Sequence, residues 1–137
     1  MSENKLQGKK ILFVEDDVFV GDIVVKHLVD AGALCEWTQD GFEALTKLRN
    51  ESFDLILTDL KMDKMSGNDM LKRVRANEDT KDIPVIILTN LANDDEEVIK
   101  AREFKVAGFL AKSSTPMANL VGIISCVLDK SPTSCAQ

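Results

Sequence analysis

Four places in this 137-residue chain put a chemically able side chain directly after a short apolar run. Glu15-Asp16-Asp17 follows Lys10–Val14, Asp59 follows Leu55–Thr58, Thr89 follows Val85–Leu88, and Lys112 follows Gly108–Ala111. Carboxylates that converge on one place repel each other and raise each other's pKa. A hard divalent cation, Mg2+ or Mn2+, resolves that conflict with oxygen ligands, water and phosphate oxygens. With the charge relieved, a carboxylate can attack phosphorus, as in aspartyl-phosphate chemistry. The charge on the transferred group then needs a cation and a hydrogen-bond donor, and Lys112 and the Thr89 hydroxyl can supply them.

That chemistry requires the four runs to deliver their ends to one rim. Apolar stretches of four or five residues fit strands buried on both faces of a parallel sheet. A weaker fifth run, Leu34–Thr38, completes the set. The segments between them have helical spacing. Val20, Val24 and Leu28 repeat every four residues with Ile23 beside them, and Gly32 reads as a helix stop. Asp40-Gly-Phe-Glu43 and Ser66-Gly-Asn-Asp69 read as capping-box starts. Asn93 or Asp94 is expected to cap a helix whose first turn is Asp95-Glu96-Glu97. Thr115-Pro116 places a capping hydroxyl before a first-turn proline. Five strand–helix repeats imply an α/β domain with helices on both faces of the sheet. In such sheets function collects at the carboxyl ends of the strands.

The segments ILFVEDD, DLILTDLKM followed by MSG, VIILTN and AGFLAKS together resemble the receiver domain of two-component response regulators, most closely the single-domain chemotaxis type. The resemblance spans about Lys9 to Lys130. It implies a flavodoxin-like, doubly wound five-stranded parallel sheet of order 2-1-3-4-5. It implies Asp59 as phosphoacceptor, with Asp16, Glu15, Asp59 and the Lys61 backbone carbonyl around Mg2+ or Mn2+. Lys112 would pair with the phosphoryl group, Thr89 would be the switch hydroxyl, and Phe109 the aromatic side chain that turns inward. Lys61 and Leu91, two residues after Asp59 and Thr89, would tune dephosphorylation. The donor would be a sensor histidine kinase or phosphotransfer protein. The output would be a protein docking on the face of the fourth helix, fifth strand and fifth helix. On this reading the chain is a switch that catalyses only its own phosphorylation and dephosphorylation.

Three residues depart from the family pattern; one is Phe109, which replaces the commoner tyrosine and would bring no hydroxyl inward. Ser113 follows Lys112 where proline after a cis bond is usual. A cis bond to serine costs about 3–4 kcal/mol, so either the loop holds that strain or the bond is trans. Asp63 replaces another frequent proline and is expected to face solvent. A phosphorylation-independent binding module is therefore the alternative, opposed by the intact Glu15, Asp16, Asp59, Thr89 and Lys112.

Other features carry plainer readings. Asp17 is expected to cap the first helix, His27 to lie on the surface, and Trp37 to pack. Asp94–Glu97 reads as a solvated first turn. Cys35, Cys126 and Cys135 lack metal or disulfide-framework spacing and read as reduced thiols. The net charge of −6 argues against nucleic-acid binding. No apolar stretch approaches the roughly 20 residues of a membrane span, and no secretory leader is visible, so a cytoplasmic location is expected. The domain is expected over 9–130, after a polar segment 1–8 and before a disordered tail 131–137.

Overall fold

A computed structural model describes residues 5–129. Its five strands are β1 (Lys10–Val14), β2 (Leu34–Thr38), β3 (Leu55–Thr58), β4 (Val85–Thr89) and β5 (Gly108–Ala111). Between and after them run α1 (Val18–Asp30), α2 (Gly41–Asn50), α3 (Gly67–Ala76), α4 (Glu96–Ala101) and α5 (Met117–Asp129). All pairings are parallel and the order is β2-β1-β3-β4-β5. The expected fold class and strand order are thus found.

Successive strand residues point to opposite faces, so each apolar strand feeds two cores. Leu12, Val14, Ile56, Val85 and Ile87 join Ala44, Met70, Leu71, Val74 and Val98 from α2, α3 and α4. Ile11, Phe13, Leu55, Leu57, Ile86 and Leu88 join Val24, Leu28, Leu120 and Ile124 from α1 and α5. Leu6, inside the segment read as polar, is fully buried in the second core, and its N–H donates to the Ala31 carbonyl at 3.0 Å.

Local chemistry sets the helix starts. Asp17 caps α1 by accepting from the Phe19 and Val20 N–H groups, Asp40 caps α2, and Ser66 caps α3. Gly32, with φ 97°, follows the end of α1 as expected. Three local expectations need correction. Asp95 itself caps α4, so neither Asn93 nor Asp94 does; its side chain reaches the Glu97 N–H at 2.8 Å, which fixes the start one residue later. Ile23 is 52% exposed, because the buried face of α1 runs through Gly21, Val24 and Leu28 and Ile23 lies off it. Cys126 is disulfide-bonded, which corrects the reading of three reduced thiols, while Cys35 is free. The tail 131–137 lies outside the described residues. Among those described, no helix is long and apolar enough to cross a membrane.

Candidate functional site

The strand order reverses direction between β1 and β3, which opens a crevice at their carboxyl ends. Glu15 extends β1 into it and Asp59 extends β3. Both are buried, at 0% and 6% exposure. Across the rim the Lys112 ammonium lies 2.6 Å from Asp59 Oδ2 and 2.8 Å from Glu15 Oε1. It also donates to Glu15 Oε2 at 3.0 Å. Three side chains predicted from separate strand ends therefore meet.

Each is held by its own element. The Asp59 backbone N–H donates to the Val14 carbonyl at 3.2 Å, and its Oδ1 accepts from the Leu60 N–H at 2.7 Å. Glu15 N–H donates to the Thr38 carbonyl at 3.0 Å, and Glu15 Oε2 accepts from the Asp17 N–H at 3.1 Å. At the start of α3, Gly67 leaves room for the chain: an added Cβ would stand 2.4 Å from the Asp59 carbonyl oxygen.

One ammonium shared by two carboxylates leaves both the Glu15 and the Lys112 pKa raised, for different reasons. Burial raises the Glu15 pKa more than Lys112 lowers it. Burial works against the Lys112 charge, but the bonds to Asp59 and Glu15 outweigh it and raise the Lys112 pKa. Two nearly dry carboxylates thus lean on a single cation.

The remaining predicted residues lie at strand ends or in the loops that follow them, except Phe109, which lies within β5. Asp16 is half-buried, and its Oδ2 accepts from the Asp63 N–H at 3.3 Å. Asp63 itself is exposed, as expected. Thr89 is buried, and its hydroxyl accepts from the Leu91 N–H at 3.3 Å. Lys61 is exposed and Leu91 half-buried beside it in a cleft with Leu60 and Met62. Phe109 is half-buried on the core side facing α2–α4, with the Arg102 guanidinium 4.9 Å from its ring centre.

The described chain contains no cis peptide bond, so the Lys112–Ser113 bond is trans. Lys112 still reaches both carboxylates. Its N–H donates to the Thr89 carbonyl at 3.1 Å, and the Ser113 N–H donates to Asn90 Oδ1 at 2.9 Å.

The donor set suits a hard divalent ion. Glu15 Oε1 is buried and meets only the Lys112 ammonium, at 2.8 Å, among the described residues. Glu15, Asp16 and Asp59 outnumber that one cation three to one. Among the described residues, no group of three His, Cys, Asp or Glu side chains is gathered closely enough to hold a metal. The ion would have to be completed by a carbonyl and by oxygens that are not the protein's, which is the habit of Mg2+.

Sequence reasoning passed over three contributors. Trp37, read as packing, donates its indole N–H to the Glu15 carbonyl at 2.9 Å. Gly67 seats α3 against Asp59. Buried Asn68, in the first turn of α3, donates to both the carbonyl and the Oε1 of Glu97 in α4, each at 2.8 Å. The only advance signal was the Met-Ser-Gly spacing, which marked a helix start.

A family model described as the response regulator receiver domain matches residues 11–124. The chemotaxis protein CheY-3 of Vibrio cholerae is 37% identical over 110 residues, covering 80% of this chain and 84% of that protein. The crystal structure of the chemotaxis response regulator CheY4 of Vibrio cholerae superposes with a TM-score of 0.80 at 29% identity, covering 88% of this chain and 99% of the other. The Mn2+-bound form of the response regulator Rcp1 gives 0.75 at 30% identity, over 90% and 96% of the two chains.

Proposed function

The chain belongs to the response regulator receiver family of two-component signalling, and from that premise we propose that it is a switch phosphorylated on Asp59. The observation that carries this is the Lys112 ammonium set 2.6 Å from Asp59 Oδ2 and 2.8 Å from Glu15 Oε1, at the crevice between β1 and β3.

The phosphoryl group passes from a phosphohistidine, on a sensor kinase or phosphotransfer protein, to an Asp59 carboxylate oxygen. A P–N bond breaks and a P–O bond forms. Phosphate then leaves by hydrolysis of the acyl phosphate. Glu15, Asp16, Asp59 and the Lys61 carbonyl would hold Mg2+ or Mn2+. The ion, when bound, supplies positive charge to the phosphoryl oxygens. Lys112 exchanges part of its contact with Glu15 for the phosphoryl oxygens. Thr89, whose hydroxyl now accepts from its own loop, turns to donate to the new group. Phe109 follows into the space that Thr89 leaves.

The response spreads through α4, β5 and α5, whose affinity for a downstream protein changes. Val18, Phe19 and Ile23 of α1 lie exposed beside the acidic turn, and Phe19 is 83% exposed. They give an approaching donor protein an apolar foothold. We place this activity in the cytoplasm, where such kinases present their phosphohistidine. The chain has no substrate other than its phosphodonor.

The test is intact-mass measurement after incubation with Mg2+ and acetyl phosphate, beside Asp59→Asn and EDTA controls. A phosphoryl adduct lost in both controls is expected. No adduct, or one indifferent to Asp59 and metal, would leave a phosphorylation-independent binding module instead.

A further inference from the structure

We propose that Trp37 is a positioning residue for the acidic turn: its indole N–H holds the backbone that aims Glu15 at the divalent metal. The inference rests on the metal-dependent reading above, but concerns a residue to which that reading gives no role.

Trp37 is the penultimate residue of edge strand β2, and its Nε1–H donates to the Glu15 carbonyl at 2.9 Å. Its neighbour Thr38 accepts the Glu15 N–H at 3.0 Å. Both backbone groups of Glu15 are therefore held by β2, immediately beyond the point where β1–β2 pairing ends at Val14 and Thr38. A residue leaving a strand normally gains freedom there, and this one does not.

The indole is itself fixed from two sides. It stacks on Phe13, with ring centres 6.2 Å apart. It also lies against α1 at Gly21, where an added Cβ would stand 1.9 Å from Trp37 Cζ2. A glycine inside a helix weakens that helix. Here it opens the slot that the indole fills. The same helix begins at Asp17, whose N–H is bonded to Glu15 Oε2. The indole thus ties the end of β1, the start of α1 and the tip of β2 around one carboxylate.

The Oε1 of that carboxylate meets only the Lys112 ammonium, 2.8 Å away, among the described residues. Its orientation depends on its backbone, on Lys112 and on the Asp17 N–H that donates to Oε2. When Lys112 turns toward a phosphoryl group, the backbone tie is what keeps Glu15 aimed. Preorganised ligands lose less freedom on binding, so the indole bond contributes to metal affinity rather than to chain folding alone.

The experiment is Mg2+ titration by calorimetry on the full chain in three forms. These are the wild type, Trp37→Phe, and a chain with benzothienylalanine at position 37. The last keeps the shape of tryptophan and removes only the N–H. Loss of one hydrogen bond expressed in metal binding weakens Mg2+ by about three- to tenfold. That loss is expected in both altered forms, while the benzothienyl chain keeps its wild-type melting temperature in EDTA. A packing role alone would leave the benzothienyl chain binding Mg2+ like the wild type, and that result overturns the proposal. A wild type that binds no Mg2+ would overturn the metal-dependent reading as well. The two failures are therefore distinct.

Discussion

Lys112→Met removes the cation that, among the described residues, alone pairs with the two nearly dry carboxylates Glu15 and Asp59. In the folded chain the Lys112 side chain is 12% exposed, that of Glu15 1% and that of Asp59 8%. Deleting one partner of a buried ion pair costs about 3–5 kcal/mol, because the charge left behind has lost both water and counter-ion. The lower end applies here, since Glu15 has a raised pKa and can take up a proton. A loss of about 3 kcal/mol in a domain of this size lowers the melting temperature by roughly 10 °C. That is the expectation in EDTA. With Mg2+ the sign of the effect on binding reverses. The methionine variant presents a more negative rim, binds the ion more tightly, and gains more stability from it by mass action. Thermal melts of both chains, with EDTA and with saturating Mg2+, read both numbers. A variant melting within about 3 °C of the wild type in EDTA, or gaining no more from Mg2+ than the wild type does, would refute the picture of a rim short of positive charge.

Gly67→Ala would put a Cβ 2.4 Å from the Asp59 carbonyl and 2.7 Å from Leu60 Cα, both backbone atoms. Strain of about 1–3 kcal/mol and slower phosphorylation by acetyl phosphate are expected; an unchanged rate would show that the start of α3 does not set Asp59. Leu91→Glu puts a carboxylate in place of the apolar side chain proposed to shield the acyl phosphate, so the phosphoryl adduct should decay faster, followed by intact mass. Unchanged decay would remove Leu91 from any role in shielding. The raised Lys112 pKa has a signed consequence in alkali. Its stabilisation is fully present below the unfolded value of about 10.4 and is lost as pH rises through the higher folded value. The stability gap between wild type and Lys112→Met, measured by urea unfolding, should therefore close only above that pH; a gap already closed at neutral pH would contradict it.

Much of this was legible because parallel strands buried on both faces must be apolar throughout. The bounds of β1, β2, β3 and β5 coincide with the apolar runs, and β4 adds only Thr89. The strand ends then named Glu15, Asp59 and Lys112 before any distance was known. Capping chemistry made Asp17, Asp40 and Ser66 legible for the same local reason. What stayed hidden depends on partners far away in sequence. Leu6 is isolated among polar residues, yet the end of α1 shelters it. Asn68 looks like a surface helix residue, but α4 closes over it and accepts both its N–H bonds. Gly21 interrupts an apolar helical stripe with no visible cause until Trp37 is seen in the gap.

Ser113 shows how a departure from a family pattern can be absorbed. Proline would fix this loop through its ring, but it has no N–H to donate. Serine has one, and it goes to Asn90 Oδ1, while Lys112 N–H goes to the Thr89 carbonyl. The loop after β5 is thus sewn to the loop after β4 by two bonds at adjacent residues. Lys112 reaches Asp59 across a trans peptide because those bonds, rather than a ring, hold its backbone. The arrangement also joins two parts of the switch mechanically. Thr89, whose hydroxyl would turn on the proposed reading, carries the carbonyl that anchors the Lys112 backbone. Thr89 can therefore respond by side-chain rotation at little cost. A larger backbone shift of the β4 loop would pull Lys112 away from Asp59 and Glu15.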